Sequence, residues 1–255
     1  MATALITGGT SGIGAAFARA LAARGDDLVL VARDADRLSE IATDLKERHA
    51  ISVETITADL GVRDEAIGIA ERLTSAEQPI EMLINNAGFG IRAKLTDSDL
   101  TPHEHGIDVM IRAVLILGAA AGRTMRQRGA GTIINVSSTA GFLATGSYAA
   151  IKAWVTTYSE SLANELYNTG VNVTALCPGW VRTEFHERAE INSGSIPERL
   201  WLDADRLVAD CLEDAAAGKV ISIPSKRYKA LMTICEHLPH RAVRAVSRRV
   251  MSTRQ

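Results

Sequence analysis

Short apolar runs alternate with longer amphipathic stretches along most of the chain. The runs are continuous rather than alternating and rich in Val, Ile and Leu, which is typical of strands buried on both faces of a sheet. They predict strands at residues 4–7, 28–32, 53–57, 82–85, 132–136, 173–177 and 220–223. The stretches between them have helical periodicity and predict helices at residues 13–24, 35–49, 64–75, 104–128, 148–169 and 203–217.

This order of elements predicts an α/β fold. Alternating strands and helices produce right-handed βαβ units, which build a doubly wound, mostly parallel sheet (Rossmann-like). The pattern favours a single domain over residues 1–224, followed by a basic C-terminal extension at residues 225–255 that is predicted to be helical. In such sheets the ligand binds beyond the carboxyl ends of the strands.

Composition and charge narrow the class of protein. The chain has 255 residues, of which 47% are hydrophobic and 23% charged, enough to bury a substantial core. A net charge of −2 argues against nucleic acid as a partner. Cys177, Cys211 and Cys235 lack metal-ligand or redox-pair spacing, so we expect reduced thiols, no metal site and a cytoplasmic location. We expect no signal peptide, and we expect no membrane span because no apolar run approaches the roughly 18 residues that one needs.

A glycine-rich turn joins the first strand to the first helix. Small residues let the backbone approach a pyrophosphate closely, and the amides and dipole of a helix N-terminus favour an anion. This placement in a βαβ unit predicts a dinucleotide site. Its candidate residues are Gly8, Thr10, Ser11, Gly12, Ile13 and Gly14.

The end of the second strand indicates which dinucleotide fits. An acid there would bind the ribose hydroxyls of NAD, but the chain has Ala32 followed by Arg33. A guanidinium can pair with the 2′-phosphate of NADP, so NADP is favoured over NAD. Asp34 either restores some NAD binding or serves as the N-cap of the next helix.

With the motifs that follow, the chain resembles the shorter, non-extended branch of the short-chain dehydrogenase/reductase superfamily over residues 3–224. The motifs after strands three to six are Asp59-Leu60, Asn85-Asn86-Ala87-Gly88, Ser138 with Tyr148-xxx-Lys152, and Pro178-Gly179 with Val181 and Thr183. The resemblance implies that Asp59 and Leu60 bracket the adenine, that Asn86 and Gly88 shape the cofactor floor, and that the Pro178 loop covers the nicotinamide. It also implies a homodimer or homotetramer through the long helices at residues 104–128 and 148–169.

Ser138, Tyr148 and Lys152 are the candidate catalytic residues. Tyr148 and Lys152 are four residues apart on a predicted helix and share a face. We expect the ammonium to lower the pKa of the phenol, so that Tyr148 exchanges a proton with a substrate oxygen that Ser138 positions. By resemblance, Lys152 also holds the nicotinamide ribose. The sequence thus predicts an NADP(H)-dependent oxidoreductase acting on a carbonyl or alcohol of a small molecule. Ser137 is the rival for the catalytic serine, but Ser138 fits the family register better; the alternative role for Ser137 is a strand-end hydroxyl that hydrogen-bonds backbone groups.

The chain departs from the family pattern at two places. Met110 stands where the family has an asparagine that holds a relay water, and a thioether is only a weak acceptor. Asp108 or a water serves instead, or turnover is slow, or the chain is a cofactor-binding sensor or scaffold. The spacing from Ser138 to Tyr148 is also shorter than usual, which predicts a different pocket wall at residues 141–146.

The remaining expectations concern the substrate side. Residues 184–202 are polar and mixed and predict a lid over the substrate. His103 and His105 are expected at the surface. Residues 238–254 carry apolar positions at helical spacing with arginines between them. This pattern favours a helix that packs one face on the body over one that makes weak contact with a membrane surface.

Overall fold

The apolar runs form one parallel sheet. In the computed structural model, which describes residues 2–183 and 197–252, seven parallel strands pair side by side. This confirms the predicted doubly wound α/β architecture. The strands are β1 Thr3–Thr7, β2 Asp27–Ala32, β3 Val53–Thr57, β4 Met82–Asn85, β5 Gly131–Val136, β6 Val171–Leu176, β7 Trp180–Val181, β8 Trp201–Leu202 and β9 Ile221–Ser222. The sheet has the order β3-β2-β1-β4-β5-β6-β9, and β7 and β8 form a separate pair.

Helices cover both faces of the sheet, so successive strand residues enter two separate cores. Leu5 and Leu83 face the core shared with the helices at residues 63–73, 113–128 and 147–165, whereas Ile6 and Ile84 face the core shared with the helices at residues 12–22, 35–49 and 204–216. This explains why the strands read as continuous apolar runs. The helices are α1 Gly12–Ala22, α2 Ala35–His49, α3 Arg63–Leu73, α4 Thr101–Ile107, α5 Ala113–Arg128, α6 Ser147–Glu165, α7 Ala204–Ala216, α8 Lys226–His237 and α9 His240–Ser252.

The predicted long helix at residues 104–128 is not one regular helix. A π-helical turn at Asp108–Arg112 separates α4 from α5, and such turns are often found at functional sites. The whole run Thr101–Arg128 is long and apolar enough to span a membrane by length and composition, contrary to our expectation. Here α5 packs on α3, β4 and β5, and 56% of the most apolar window is buried.

The short pair of β7 and β8 was not predicted. Trp180 pairs with Trp201 and Val181 with Leu202, in two-residue strands that are too short to show periodicity. The backbone amide of Arg182 also donates to the carbonyl oxygen of Leu202. The ends of the predicted lid are therefore joined, while its residues 184–196 lie outside the described part of the chain.

The C-terminal extension packs on the body through one face of each helix. Tyr228 and Met232 of α8 are buried, and so is Ser247 of α9. The Ser247 hydroxyl accepts a hydrogen bond from the backbone amide of Ala144, at 2.9 Å. Residues 226–252 therefore form part of the wall around the loop that precedes α6.

Replacing two helical glycines by alanine distinguishes the effect of close packing from that of helix propensity. A Cβ on Gly14 would overlap the Gly8 carbonyl oxygen and the Asn86 side-chain amide, whereas one on Gly68 of α3 would meet no described heavy atom within 4 Å. We expect Gly14→Ala to lower the free energy of unfolding by about 1–3 kcal/mol. The matched control Gly68→Ala should raise it by about 1 kcal/mol. Urea unfolding measures both, and equal shifts would contradict the close contact at Gly14.

Candidate active site

A cleft of about 2180 Å³ opens at the carboxyl ends of the parallel strands. The predicted site residues follow six of these strands in turn, so the topology brings distant parts of the sequence to one edge of the sheet. Every residue predicted to bind cofactor or perform chemistry lines this cleft except Gly14. Gly14 instead packs α1 against Gly8 and Asn86, so its absent side chain permits close approach of helix and turn.

The glycine-rich turn is fixed by the segment after β4. Gly8 and Gly12 have φ values of +65° and +54°, a left-handed conformation that favours glycine. The Asn86 side-chain amide donates to the carbonyl oxygens of Thr7 and Gly8, at 2.9 and 3.1 Å. The Thr7 hydroxyl in turn accepts from the backbone amides of Asn86 and Ala87. The turn is therefore held in place while its backbone borders the cleft, a cradle suited to a pyrophosphate.

Arg33 and Asp34 at the end of β2 have different tasks. Arg33 is exposed on the lip of the cleft. The Asp34 carboxylate accepts a hydrogen bond from the backbone amide of Arg37 at 3.0 Å and is the N-cap of α2. Of the two alternatives for Asp34, the structure thus favours the cap. Arg37 also lines the cleft, a contribution we missed because nothing in its spacing separates it from an ordinary helix surface residue.

Asp59 is engaged by its own loop. Its carboxylate accepts from the backbone amide of Gly61 at 2.8 Å, and its backbone amide donates to the Glu65 carboxylate at 2.6 Å. Asp59 and Leu60 both line the cleft below β3. These hydrogen bonds hold the loop against the N-terminus of α3 and so fix the part of the cleft wall that Asp59 and Leu60 form.

Ser138, Tyr148 and Lys152 converge at the end of β5. Ser138 follows the strand, and its hydroxyl hydrogen-bonds Tyr148 on the first turn of α6. The Lys152 ammonium lies 5.6 Å from the centre of the Tyr148 ring and donates to the carbonyl oxygen of Val136 at 2.8 Å. Only 4% of the lysine is exposed. A phenol, a hydroxyl and a buried cation therefore share the inner end of the cleft.

The expectation that Lys152 lowers the pKa of Tyr148 is wrong for this structure. Burial raises the pKa of the phenol to about 12, and the hydrogen bond from Ser138 only partly opposes this. The Lys152 ammonium donates to the Val136 carbonyl oxygen and does not offset this rise. Burial also lowers the pKa of Lys152 to about 8. At neutral pH, Tyr148 is thus held as the proton-carrying phenol beside a cationic lysine.

Ser137 serves the backbone, in agreement with its sequence interpretation. Its hydroxyl donates to the Lys152 carbonyl oxygen at 2.7 Å and hydrogen-bonds the Thr156 hydroxyl at 2.7 Å. It is 2% exposed and, although it borders the cleft, both of its partners belong to α6. Ser137 therefore fixes the helix that carries Tyr148 and Lys152.

Met110 lies in the π-helical turn next to the lysine. A Cβ on Gly88 would lie 3.1 Å from the Met110 sulfur and 3.6 Å from the Lys152 Nζ, so both side chains surround this glycine. Asp108, the suggested substitute for a relay asparagine, pairs with Arg112 at 2.5 Å. Arg112 also donates to the Gly61 carbonyl oxygen. The Asp108 carboxylate is therefore committed to a cation of its own turn.

The two histidines expected at the surface are not simple surface residues. His103 is 8% exposed, with Nδ1 2.6 Å from the Ser147 hydroxyl and Nε2 3.2 Å from the Lys94 carbonyl oxygen. It ties a cleft-lining loop to the first residue of α6. His105 lines the cleft and stacks on Phe89 with ring centres 5.0 Å apart. Nothing in the local sequence around these two histidines predicts their contacts with distant residues.

The C-terminal helix α8 supplies a further wall of the cleft. Tyr228, Leu231 and Met232 of α8 line the cleft. The Tyr228 hydroxyl donates to the Leu200 carbonyl oxygen at 2.9 Å and accepts from the Trp180 backbone amide at 3.2 Å. It thereby fastens both sides of the predicted lid to α8. Within the described ranges, no cluster of three or more His, Cys, Asp or Glu residues is arranged to hold a metal ion.

Comparison with known proteins agrees with this geometry. The model of the short chain dehydrogenase family matches residues 2–193. An oxidoreductase of Staphylococcus saprophyticus is 36% identical over 71% of this chain and 78% of its own. A short-chain dehydrogenase from Sphingobium yanoikuyae, solved in complex with NADPH, has a TM-score of 0.84 and 34% identity over 94% of this chain and 96% of its own. The bulky-bulky ketone specific alcohol dehydrogenase from Comamonas testosteroni has a TM-score of 0.79 and 30% identity, over 94% and 95%.

The buried charge of Lys152 predicts a pH-dependent effect of its removal. The pKa of this lysine is about 8 in the folded chain against an ordinary 10.5, so its burial opposes folding below pH 8 and this penalty fades as the pH rises. We expect the stability of Lys152→Met relative to the parent protein to fall by about 2 kcal/mol between about pH 7 and 9.5. The loss of the hydrogen bond to Val136 changes the stability of the variant by the same amount at every pH. Urea unfolding measures this difference, with exposed Lys46→Met as the matched control, and a flat difference would contradict the buried charge.

Proposed function

The chain belongs to the short-chain dehydrogenase family of oxidoreductases, and from this premise we propose that it transfers a hydride between NADP(H) and a carbonyl or alcohol group of a small molecule. The observation that carries the proposal is the convergence of Ser138, Tyr148 and Lys152 in the cleft bordered by the glycine-rich turn. The three groups have complementary tasks at a reacting oxygen.

Tyr148 acts as the proton donor in the direction of reduction. Its raised pKa keeps the phenol protonated at neutral pH, ready to donate to the oxygen of a substrate carbonyl. Ser138 donates a hydrogen bond to the same oxygen and orients it. Lys152, buried one helical turn beyond Tyr148, would hold the nicotinamide ribose and so orient the cofactor toward the same oxygen. Bound NADPH supplies the hydride, and oxidation of an alcohol uses the same groups in reverse.

The preference for NADP over NAD follows from the residues at the rim of the cleft after β2. Arg33 and Arg37 border the cleft there, and Asp34, the nearby acid, is engaged as a helix cap. Guanidinium groups recognise phosphate through paired hydrogen bonds, which suits the 2′-phosphate that distinguishes NADP from NAD. The Sphingobium yanoikuyae relative, solved with NADPH, supports this preference.

The substrate end of the cleft favours an apolar molecule. Trp180, Leu231 and Met232 line it, and Tyr228 uses its hydroxyl on backbone groups. The specificity of the Comamonas testosteroni relative for bulky ketones supports a ketone or secondary alcohol with sizeable apolar groups.

One observation favours a second candidate, a cofactor-binding sensor with little turnover. Met110 is buried beside Lys152 and offers only a weak acceptor where a proton relay would need a polar group. The sensor and the enzyme would bind the same cofactor through the same turn. They differ only in whether bound cofactor reacts.

Removing the Tyr148 hydroxyl tests the enzyme directly. We expect Tyr148→Phe to lower kcat for NADPH-dependent reduction of bulky ketones by about 10²–10⁴-fold, because the proton donor is lost. NADPH binding, followed by fluorescence, should persist. Tyr158→Phe is the matched control, since Tyr158 lies on the same helix, stacks on Trp154 and does not line the cleft.

Two results would contradict the assignment. Equal rates for Tyr148→Phe and Tyr158→Phe would remove Tyr148 from the chemistry. Tight binding of NADPH and NADP⁺ with no turnover of ketones or alcohols in either direction would favour the sensor.

Arg33 tests the choice of dinucleotide. We expect Arg33→Ala to weaken NADPH binding by about 10–100-fold, the value of a charge-assisted contact, and to leave NADH binding nearly unchanged. Arg24→Ala is the matched control, because Arg24 is exposed in the loop before β2, at the opposite edge of the sheet. Equal losses for NADPH and NADH, measured by titration, would contradict a 2′-phosphate contact.

A further inference from the structure

Both lips of the cleft carry exposed apolar side chains. Leu95 lines one lip and is 66% exposed, and Leu231 of α8 lines the other and is 48% exposed. Ile234 follows one helical turn after Leu231 and is 59% exposed, and Val246 of α9 is 44% exposed. Single exposed apolar residues are ordinary on a protein surface, but Leu95 and Leu231 line the same cleft and Ile234 extends the exposed apolar face of α8.

The same surface is strongly basic. The helices α8 and α9 carry seven lysines and arginines and a single acid, Glu236, although the whole chain has a net charge of −2. Arg92 and Lys94 add cations on the lip that carries Leu95. The seven cations are Lys226, Arg227, Lys229, Arg241, Arg244, Arg248 and Arg249.

The arginines of α9 face away from the body. Ser247 is buried and held by Ala144, which fixes the inner side of this helix. Counting about 100° per residue, Arg241, Arg244, Arg248 and Arg249 fall within one arc of roughly 140°, which starts about 60° from Ser247. All four are exposed. The outward surface of the helix pair is therefore cationic, with apolar side chains beside the cleft.

We propose that this surface, formed by α8, α9 and the loop around Leu95, docks on an anionic lipid bilayer with the mouth of the cleft toward the lipid. Anionic headgroups complement the cations, and the exposed leucine, isoleucine and valine side chains enter the boundary of the acyl chains. A second copy of the chain fits this surface less well, because two like arginine arcs repel each other. Docking would deliver lipophilic ketones or alcohols directly to the cleft, a consequence that rests on the proposed function.

Vesicle flotation of the full chain tests docking without any catalytic readout. We expect the protein to float with vesicles of phosphatidylcholine containing about 30% phosphatidylglycerol, and not with phosphatidylcholine alone. Raising the salt to about 0.5 M should release most of the bound protein, because screening weakens headgroup contacts. Because no turnover is measured, failure of docking and failure of the proposed chemistry are distinguishable.

Variants at residues that do not line the cleft distinguish the contribution of the arginines to membrane binding from that of the exposed apolar side chains. Arg244→Glu with Arg248→Glu, and separately Ile234→Ser with Val246→Ser, should each lower partitioning into anionic vesicles about tenfold or more. Arg126→Glu and Tyr167→Ser are the matched controls, since both residues are exposed at the opposite edge of the sheet and should bind like the parent protein. Circular dichroism verifies that each variant is folded.

Three outcomes would overturn the proposal. One is absence of flotation with anionic vesicles, and another is equal binding to neutral and anionic vesicles. The third is a self-associated chain that becomes monomeric in Ile234→Ser with Val246→Ser while binding no vesicles. That last result, read by analytical ultracentrifugation, would assign the surface to a second copy.

Discussion

The site depends on a reciprocal pair of hydrogen bonds between the end of β5 and the helix α6. Lys152 reaches back from the helix to the Val136 carbonyl oxygen, and Ser137 reaches forward from the strand to the Lys152 carbonyl oxygen. An ammonium in a closed site is costly unless it has partners, and this clamp supplies one of them. The same clamp sets Tyr148 one helical turn earlier, beside Ser138. Burial then governs both titratable groups in opposite directions, which leaves a neutral acid next to a cation.

Much of the fold could be predicted because the sheet is buried on both faces. A strand covered by helices on either side must be apolar throughout, so β2 and β5 are visible in the sequence as unbroken runs. The candidate site was also visible, because parallel topology brings the residues after each strand to one edge. Gly8, Arg33 and Ser138 all take their places in the cleft for that reason.

Other features depend on contacts between distant segments, and no local pattern reveals these. The pKa of Tyr148 follows from burial and from its hydrogen bond with Ser138, not from the spacing of Tyr148 and Lys152 on the helix. Gly14 resembles its neighbours in the turn but packs against Gly8 and Asn86. The burial of His103 and the place of Tyr228 in the cleft wall arise from loops and helices that meet only in the folded chain.

The pairing of β7 with β8 has an evolutionary consequence. Trp180 and Trp201 pack with ring centres 6.3 Å apart, Arg182 forms an ion pair with Glu198, and the two strands join the chain before and after the intervening residues. Once such a junction is closed, the entropic cost of a longer connection grows only slowly, by about 0.6 kcal/mol for each doubling of its length. Insertions, deletions and sequence drift at residues 184–196 should therefore be tolerated without moving the phenol or the lysine. Descendants of this gene can thus acquire new specificities by changing one connection while inheriting the reaction intact.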